Sequence, residues 1–319
     1  MATKRGHATQ NRRIRSAGEK FAAMESIYIK EKSLPVAWER AVIETWNRGA
    51  RFRTEYDKPG DPESRDACAL IHVTEPFAEP RIHKAFPGGL DDLEVYRAEV
   101  LYGVHDHWIR EGQAEGQLAF AFEVQRTIKW TYTYHERLFN YQVPHDAPAN
   151  QIETIVRALR KAPHTRRAQA VTWQAWKDPQ MSDPPCLQRL CFRVERGRGR
   201  RKSMLNMVVH MRSNDSFKAA FMNMFAFTEL QEMVAAELGV AAGQYVHIAD
   251  SFHIYGSYFK EFEGFLRSTR ERPDRYWTTE FARPMFLDGV NRVLGEKDLP
   301  DQMRRVMELR KAELEAALG

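Results

Sequence analysis

A cysteine that follows two prolines is the residue best placed to do chemistry in this chain. Cys186 comes directly after Pro184 and Pro185, so it should sit on a constrained turn rather than inside a regular element. About one strand later the chain reaches Arg212 and Ser213, and a cation near a thiol lowers its pKa and favours the nucleophilic thiolate. The alternative is a small core residue, since free cysteines are often buried. The surrounding motifs, rather than the cysteine alone, favour the nucleophile.

Those motifs resemble the thymidylate synthase family in their order and rough spacing. The matching residues are Pro184-Pro185-Cys186, Arg212-Ser213-x-Asp215, Asn223, His253-x-Tyr255, Arg166-Arg167 ahead of Trp173, and Glu99. The resemblance extends from about Trp38 to Tyr258. It implies an α/β (α+β) fold in which helices flank a large mixed sheet, and a homodimer in which the sheets of two subunits pack back to back.

The resemblance also implies a catalytic set. Cys186 would attack C6 of a pyrimidine nucleoside monophosphate, so that C5 can take a one-carbon unit from 5,10-methylenetetrahydrofolate. Glu99 would organise water and assist proton transfers, and Tyr134 would lie near the nucleophile. Arg212 would bind phosphate and hold Cys186 as the thiolate. No metal is implied.

The substrate-binding residues implied by the same resemblance are Arg65, Arg166, Arg167, Ser213, Asp215, Asn223, His253 and Tyr255. Arg65 is the candidate for a flexible-loop arginine that closes over the phosphate, with Arg51 or Arg53 as substitutes. Arg166 and Arg167 would reach the nucleotide of the other subunit. The pair His253 and Tyr255, two residues apart on one face of a strand, would hydrogen-bond the sugar.

Asn223 should contact the base, but its residue type leaves the base open. A carboxamide carries a donor and an acceptor, so one orientation suits uracil and the flipped one suits cytosine. The contacts that hold the amide must decide. Deoxycytidylate hydroxymethylases resemble this pattern but tend to have aspartate there, which weakens a cytosine assignment.

Three departures from the family pattern change the predicted product. Leu187 stands where thymidylate synthases usually have histidine, Ala219 and Ala220 replace a glycine and a proline, and residues 307–319 lack the Pro- and Val-containing tail that closes over folate. Excluding water is what lets a synthase complete a methyl group. The chain therefore resembles pyrimidine nucleotide hydroxymethylases, including the cytidylate hydroxymethylases of nucleoside-antibiotic pathways. CMP or dCMP is the expected substrate; thymidylate synthesis and dUMP hydroxymethylation are the alternatives.

Length, charge and cysteine content fit such an enzyme. The 319 residues, 43% of them hydrophobic, can build a large core, and the net charge of +5 predicts attraction to anions. The three cysteines, Cys68, Cys186 and Cys191, do not form a disulfide framework, which favours a cytoplasmic location. No segment reads as a secretory signal or a membrane span. We expect a basic flexible arm over residues 1–20 and one domain over residues 21–319.

Basic segments leave a competing interpretation, a nucleic-acid-binding protein that uses the arm and Arg196–Lys202. We favour a solvated hairpin tip for the second segment, because it should join strands at Leu190–Val194 and Leu205–Met211. Periodicity predicts the other elements. Helices are expected over Leu34–Asn47, Leu93–Val104, Gln151–Lys161, Phe221–Ala236 and Asp301–Leu318, and strands over Ala67–Val73, Thr127–Phe139 and Ala168–Trp173.

Overall fold

A mixed eight-stranded sheet runs through the middle of the computed structural model, which describes residues 24–109, 130–197, 199 and 202–319. The strands are β1 (Ser26–Glu31), β2 (Ala50–Phe52), β3 (Ser64–Val73), β5 (Gln169–Val171), β6 (Leu187–Glu195), β7 (Met204–Met211), β8 (Asn214–Asp215) and β9 (Ala241–Ile254); β4 (Ile82–His83) and β10 (Tyr276–Trp277) form a separate pair. The main order is β1-β3-β9-β7-β6-β5, with β2 beside β3 and β8 beside β9. β1 with β3 and β7 with β9 are parallel, whereas β3 with β9 and β6 with β7 are antiparallel.

Eight helices of the described chain surround this sheet. They are α1 (Leu34–Arg48), α2 (Leu90–Tyr102), α3 (Tyr134–Phe139), α4 (Gln151–Lys161), α5 (Ala220–Leu238), α6 (Phe259–Glu271), α7 (Thr279–Leu294) and α8 (Asp301–Ala316). Burial alternates along the central strands, as in β7, so one sheet face is fully covered. α5 lies on that face and buries most of its Phe and Met side chains. The core therefore lies between the sheet and α1, α2 and α5.

Most of the predicted elements are confirmed. The helices at α1, α4, α5 and α8 and the hairpin of β6 and β7 agree within a few residues, because their apolar periodicity coincides with the buried face. The predicted basic arm, and Arg198, Arg200 and Arg201 in the hairpin tip, lie outside the described residues. In the described residues, no helix combines the length and apolar character needed to cross a membrane.

The strand predicted over Thr127–Phe139 was wrong where it can be compared. Residues 134–139 form the helix α3, and the Thr133 hydroxyl accepts a hydrogen bond from the Glu136 amide. Threonine followed three residues later by glutamate is a helix-start signature, and it outweighs the aromatic alternation that suggested a strand. Residues 127–129 lie outside the described part.

A buried ionic network attaches the C-terminal helix to α2. Glu94, which has no exposed surface, accepts hydrogen bonds from Arg97 on α2 and Arg310 on α8. Arg97 also forms an ion pair with Glu229 on α5, and Glu229 forms a second ion pair with Arg81. The network explains why α8 packs on the α2 and α7 side of the molecule, since a buried charge must be paired.

Candidate active site

The candidate active site is a cavity of about 830 Å³ at one edge of the sheet. β6 begins where antiparallel β7 ends, with Leu187 opposite Met211, and parallel β8 and β9 end at the same edge. Residues that flank these strand ends therefore meet although they are distant in sequence. The cavity is lined by Tyr56, Tyr96, Glu99, Val100, Trp130, Thr131, Tyr132, Thr133, Tyr134, Ser182, Asp183, Cys186, Arg212, Ser213, Asn214, Asp215, Lys218, Ala219, Met222, Asn223, His253 and Tyr255.

Most of the residues singled out from the sequence lie in that wall. The structure brings together Glu99, Tyr134, Cys186, Arg212, Ser213, Asp215, Asn223, His253 and Tyr255. It does not place Arg65, Arg166 or Arg167 in the lining of the cavity. Nine side chains from eight separate elements and loops therefore converge on one concave, largely apolar space, as expected of a small-molecule site.

Arg212 supports the turn that carries Cys186. Its Nε and Nη2 donate hydrogen bonds to the Pro185 and Pro184 carbonyl oxygens at 3.1 and 2.6 Å, and its backbone N–H donates to the Cys186 carbonyl at 2.8 Å. The same guanidinium lines the cavity. Arg212 thus fixes the Pro-Pro-Cys backbone and still offers positive charge to the sulfur.

Burial of the Cys186 thiol outweighs the pKa-lowering effect that was expected of Arg212. Burial raises the pKa of the Cys186 thiol, Arg212 lowers it, and Asp183 raises it again; the net direction is upward. Desolvation disfavours a thiolate more than one partly engaged guanidinium can stabilise it. The resting group is therefore the neutral thiol at neutral pH.

Alkylation of Cys186 tests this balance. Because its pKa is raised, the iodoacetamide reaction should reach half its maximal rate at a pH above the ordinary cysteine value. Arg212→Leu should move that midpoint up by about one unit or more, since an opposite charge nearby typically shifts a pKa by 1–3 units. Arg212→Lys, which keeps the charge, should move it less. Residue-resolved mass spectrometry against pH measures the rates, and a wild-type midpoint below that of free cysteine would contradict the assignment.

Asn223 is held by Tyr96, which the sequence analysis did not single out. The Tyr96 hydroxyl donates to Asn223 Oδ1 at 2.5 Å. Burial raises the pKa of Tyr96 well above its usual range, so the hydroxyl keeps its proton and remains a donor. Tyr96 precedes Glu99 by one helical turn, and this i,i+3 spacing was the available signal that both side chains face the same cavity.

His253 offers a buried nitrogen to a ligand. Its side chain is only 5% exposed, and Nε2 has no hydrogen-bond partner within the described part of the chain. Nδ1 lies 3.1 Å from the Ser251 hydroxyl. A buried polar atom without a partner needs explanation, and a polar ligand group in the cavity supplies one. Tyr255 follows β9 instead of lying on it, and its ring contacts His253 with centroids 4.6 Å apart.

Asp215 and Lys218 form a polar part of the cavity lining beside His253. Asp215 accepts hydrogen bonds from the Phe217 and Lys218 amides at 3.1 and 2.8 Å. Burial raises the pKa of Asp215, although these bonds and His253 oppose the shift. Lys218, missed in the sequence, lies 2.9 Å from Glu261 and 4.1 Å from the Tyr258 ring centre. Lys218 is a second cation in the lining of the cavity. Its position three residues after Asp215 was the signal in the sequence that could have placed it there.

Arg65 is on a strand rather than on the predicted flexible loop. It belongs to β3, between β2 and β9, where ladder hydrogen bonds hold the backbone. Its guanidinium lies 5.7 Å from the Trp46 ring centre and 3.5 Å from the Gly49 carbonyl oxygen. The turn-rich sequence before it suggested a loop, but pairing with Arg51 of β2 and Ile254 of β9 makes this segment a strand.

Comparison with known proteins identifies the family of the chain. A sequence profile of the thymidylate synthase family matches residues 99–282, more than half of the chain. The chain belongs to the thymidylate synthase family. A provisionally assigned thymidylate synthase from Methanocaldococcus jannaschii is 29% identical over 232 residues, covering 71% of this chain and 90% of the homologue. A similar Methanosarcina acetivorans protein is 26% identical over 227 residues, covering 71% and 88%.

Solved structures give the same fold. Thermostable thymidylate synthase A from Bacillus subtilis superimposes with a TM-score of 0.53 and 17% identity, covering 73% of this chain and 83% of that one. The expected large mixed sheet flanked by helices is thereby confirmed. As a member of the thymidylate synthase family, the protein is an enzyme that transfers one-carbon groups to a pyrimidine. The family in general uses methylenetetrahydrofolate.

Proposed function

We propose that this thymidylate synthase homologue is a cytidylate hydroxymethylase. It transfers a one-carbon unit from 5,10-methylenetetrahydrofolate to C5 of CMP or dCMP, and water provides the hydroxyl group. The observation that carries the proposal is the hydrogen bond from Tyr96 to Asn223 Oδ1. It bears directly on the base, which the residue type at 223 left open.

The Tyr96 contact favours cytosine over uracil. Because Oδ1 already accepts a hydrogen bond, Asn223 offers mainly its Nδ2 hydrogens to the cavity. Cytosine N3 is an acceptor and matches that donor, while the 4-amino group can use the remaining lone pair of Oδ1. Uracil carries a hydrogen on N3, which would face the Nδ2 hydrogens. A buried donor facing a donor costs about 1–3 kcal/mol.

The same amide assists the covalent step. When the Cys186 sulfur bonds to cytosine C6, the displaced electron pair moves through C5 and C4 onto N3. A donor already aimed at N3 stabilises that charge as it develops. Arg212, which lines the cavity beside Cys186, stabilises the thiolate as the thiol loses its proton and again when the C6–S bond breaks. The overall conversion is nucleotide plus methylenetetrahydrofolate plus water to hydroxymethyl nucleotide plus tetrahydrofolate.

Glu99 and Tyr134 serve the proton transfers at C5. Both line the cavity, one from α2 and the other from the start of α3. The Tyr134 oxygen accepts a hydrogen bond from the Leu187 amide at 3.3 Å, next to the nucleophile. Burial raises the pKa of Tyr134 well above its usual range, so it acts as a neutral hydroxyl. Glu99 then takes up the C5 proton through an ordered water.

The nucleotide is bound through its phosphate and sugar at the sheet edge. Ser213 and the remaining Arg212 N–H groups face the phosphate, and His253 Nε2 is free for a sugar hydroxyl. Arg166 and Arg167 are exposed just before β5, where they can reach the site of a second subunit. The homodimer would use the outer sheet face, where exposed Tyr28 lies next to Leu70 across β1 and β3.

The cavity has room for folate beside the nucleotide. Its volume of about 830 Å³ lies near the upper end of the range usual for ligand pockets. Trp130, which is 42% exposed, and Tyr132 form an aromatic side of the lining on which a pterin could stack. Bound there, 5,10-methylenetetrahydrofolate supplies the one-carbon unit. Among the residues that the structure describes, α8 is held on α2 by Arg310 and does not enter this lining, which supports a site that admits water.

Product analysis tests the proposal. The protein is incubated separately with CMP, dCMP and dUMP in the presence of formaldehyde and tetrahydrofolate, and the products are identified by mass. We expect a hydroxymethylated cytosine nucleotide without formation of dihydrofolate. Methylated dUMP accompanied by dihydrofolate would replace the proposal by thymidylate synthesis.

Tyr96→Phe tests the basis of the base preference. Without the hydroxyl the Asn223 amide is free to turn its oxygen toward uracil N3–H. The ratio of kcat/KM for the cytosine nucleotide to that for dUMP should fall roughly five- to tenfold, because a net hydrogen bond contributes about 1 kcal/mol. Tyr132→Phe, at another half-buried tyrosine of the cavity, should leave this ratio unchanged. An unchanged ratio in Tyr96→Phe would show that other contacts select the base.

A further inference from the structure

A buried histidine links Glu99 to the C-terminal part of the chain. His105 is 3% exposed; its Nδ1 lies 2.6 Å from Glu99 Oε1, and its Nε2 lies 3.1 Å from Glu296 Oε1. The ring stacks on Trp108 with centroids 3.7 Å apart. Both ring nitrogens are therefore engaged by carboxylates, and the plane of the ring is fixed by an aromatic neighbour.

The end of α2 is shaped to return His105 to Glu99. Gly103 has a φ of 67°, and its N–H donates to the Glu99 carbonyl oxygen, which ends the helix in the left-handed conformation that glycine adopts most easily. A Cβ at Gly103 would come within 2.3 Å of His135 and 2.6 Å of Asp106. The chain therefore turns back within three residues of the end of α2, and this turn places the His105 imidazole next to the Glu99 side chain.

Glu296 is held just as firmly on the other side of the ring. It lies between α7 and α8, and Arg304 on α8 donates hydrogen bonds to the Leu294 and Glu296 carbonyl oxygens at 2.7 and 3.1 Å. The loop therefore has a fixed position. His105 is thus held between a cavity residue and a rigid C-terminal support.

We propose that His105 is a positioning residue that fixes the rotamer of Glu99 through Nδ1, with Glu296 holding the ring from behind. One oxygen of Glu99 is then committed to His105, and the other is directed into the cavity. The inference rests on the proposed role of Glu99 in proton transfer at the pyrimidine. His105 itself does not belong to the cavity lining among the described residues, so it acts on the reaction only through Glu99.

Charge supports this geometry. Burial alone would lower the pKa of His105, but its contacts with Glu99 and then Glu296 outweigh burial, and the net shift is upward. A doubly hydrogen-bonded imidazolium between two carboxylates orders both more strongly than a neutral ring. A displaced Glu99 would affect the chemical step more than binding, because a misplacement of about 1 Å can cost 10²-fold in rate.

Two amide substitutions distinguish the roles of the two ring nitrogens of His105. The amide nitrogen of asparagine lies close to the position of Nδ1, whereas that of glutamine lies close to the position of Nε2. His105→Asn should therefore keep the bond to Glu99, and His105→Gln should keep only the bond to Glu296. His107→Gln is the matched control, since within the described part of the chain His107 pairs with Asp298 rather than with Glu99.

The experiment measures kcat, KM and tritium release from the 5-tritiated nucleotide, using whichever of CMP, dCMP or dUMP the wild type converts. We expect kcat and tritium release to fall roughly 10- to 100-fold in His105→Gln with little change in KM. They should fall less than about threefold in His105→Asn and not at all in His107→Gln. Equal losses in the asparagine and glutamine variants, or a change in KM alone, would overturn the positioning role.

The outcomes also separate this inference from the proposed function. If the wild type converts only dUMP, and His105→Asn still has a higher kcat than His105→Gln, the cytidylate proposal fails and the His105 inference stands. If the wild type converts none of the three nucleotides, both fail. Thermal unfolding of each variant accompanies the kinetics, and losses of kcat that follow the melting temperature rather than the nitrogen retained would make His105 merely structural.

Discussion

Replacing Cys186 with alanine is expected to abolish turnover while nucleotide binding persists. Without the sulfur no bond to C6 can form, and losing the nucleophile of a covalent mechanism lowers kcat on the order of 10⁴-fold or more. The phosphate and sugar contacts proposed for Arg212, Ser213 and His253, which also line the cavity, do not involve the thiol. Turnover is followed by product mass, and binding by calorimetry.

Two controls and a trapping experiment complete that test. Cys68 and Cys191 are also free and half-buried, and Cys68→Ala and Cys191→Ala should retain activity. With 5-fluoro-CMP or 5-fluoro-dCMP and methylenetetrahydrofolate the wild type should give a denaturation-stable adduct, because fluorine cannot leave C5 as a proton does. The adduct should be missing from Cys186→Ala. More than about 1% residual turnover in that variant would rule out the covalent mechanism.

Replacing Asp178 with alanine is expected to have the largest effect on stability. Asp178 and Arg137 both have no exposed surface, and they form two hydrogen bonds of 2.8 and 3.0 Å. Removing Asp178 takes away the bidentate partner of a buried guanidinium and leaves Arg137 with Glu136, 3.1 Å from its Nε, as its remaining carboxylate; breaking a buried pair in this way costs about 3–5 kcal/mol. Arg137 belongs to α3, the helix that begins with Tyr134, so the loss should also loosen that wall of the cavity.

Chemical denaturation with urea measures the free energy of unfolding. The double variant Arg137→Met with Asp178→Leu removes both charges and should be clearly more stable than Asp178→Ala, since apolar replacements of buried ion pairs are often close to neutral. Exposed Glu153, paired with Arg157 on the surface of α4, provides the control. Glu153→Ala should cost less than about 1 kcal/mol. If Asp178→Ala lowers the free energy of unfolding by no more than Glu153→Ala does, the assignment of a strong buried pair is contradicted.

The amphipathic helices and the hairpin could be predicted from the sequence because their information is local. Apolar residues at helical spacing in α4, and alternation along β6 and β7, match the faces that the structure buries. The segment before Phe139 was misread because a four-residue capping signal competed with a longer aromatic alternation. Arg65 was misplaced for a related reason, since turn residues just before it hid the start of β3.

Most of the predicted site residues that line the cavity could be identified from the sequence, but their pKa shifts and hydrogen-bond partners could not. The thiol pKa of Cys186 depends on burial, Arg212 and Asp183 together, and no residue type reports how much water a fold removes. His105 was not singled out because Glu296, which completes its environment, lies 191 residues away. Such a pairing leaves no periodic signal in the sequence.

By itself, the sequence determined the family of this enzyme and pointed to Cys186 as the proposed nucleophile and to eight other residues that line the cavity, because ordered motifs and local periodicity are properties of the chain. Only the tertiary structure decided that the resting thiol is neutral, that Arg65 is outside the cavity, and that Tyr96 holds the Asn223 oxygen from 127 positions away. Protonation and hydrogen-bond direction depend on desolvation and on neighbours within a few ångströms, and folding alone brings those neighbours together.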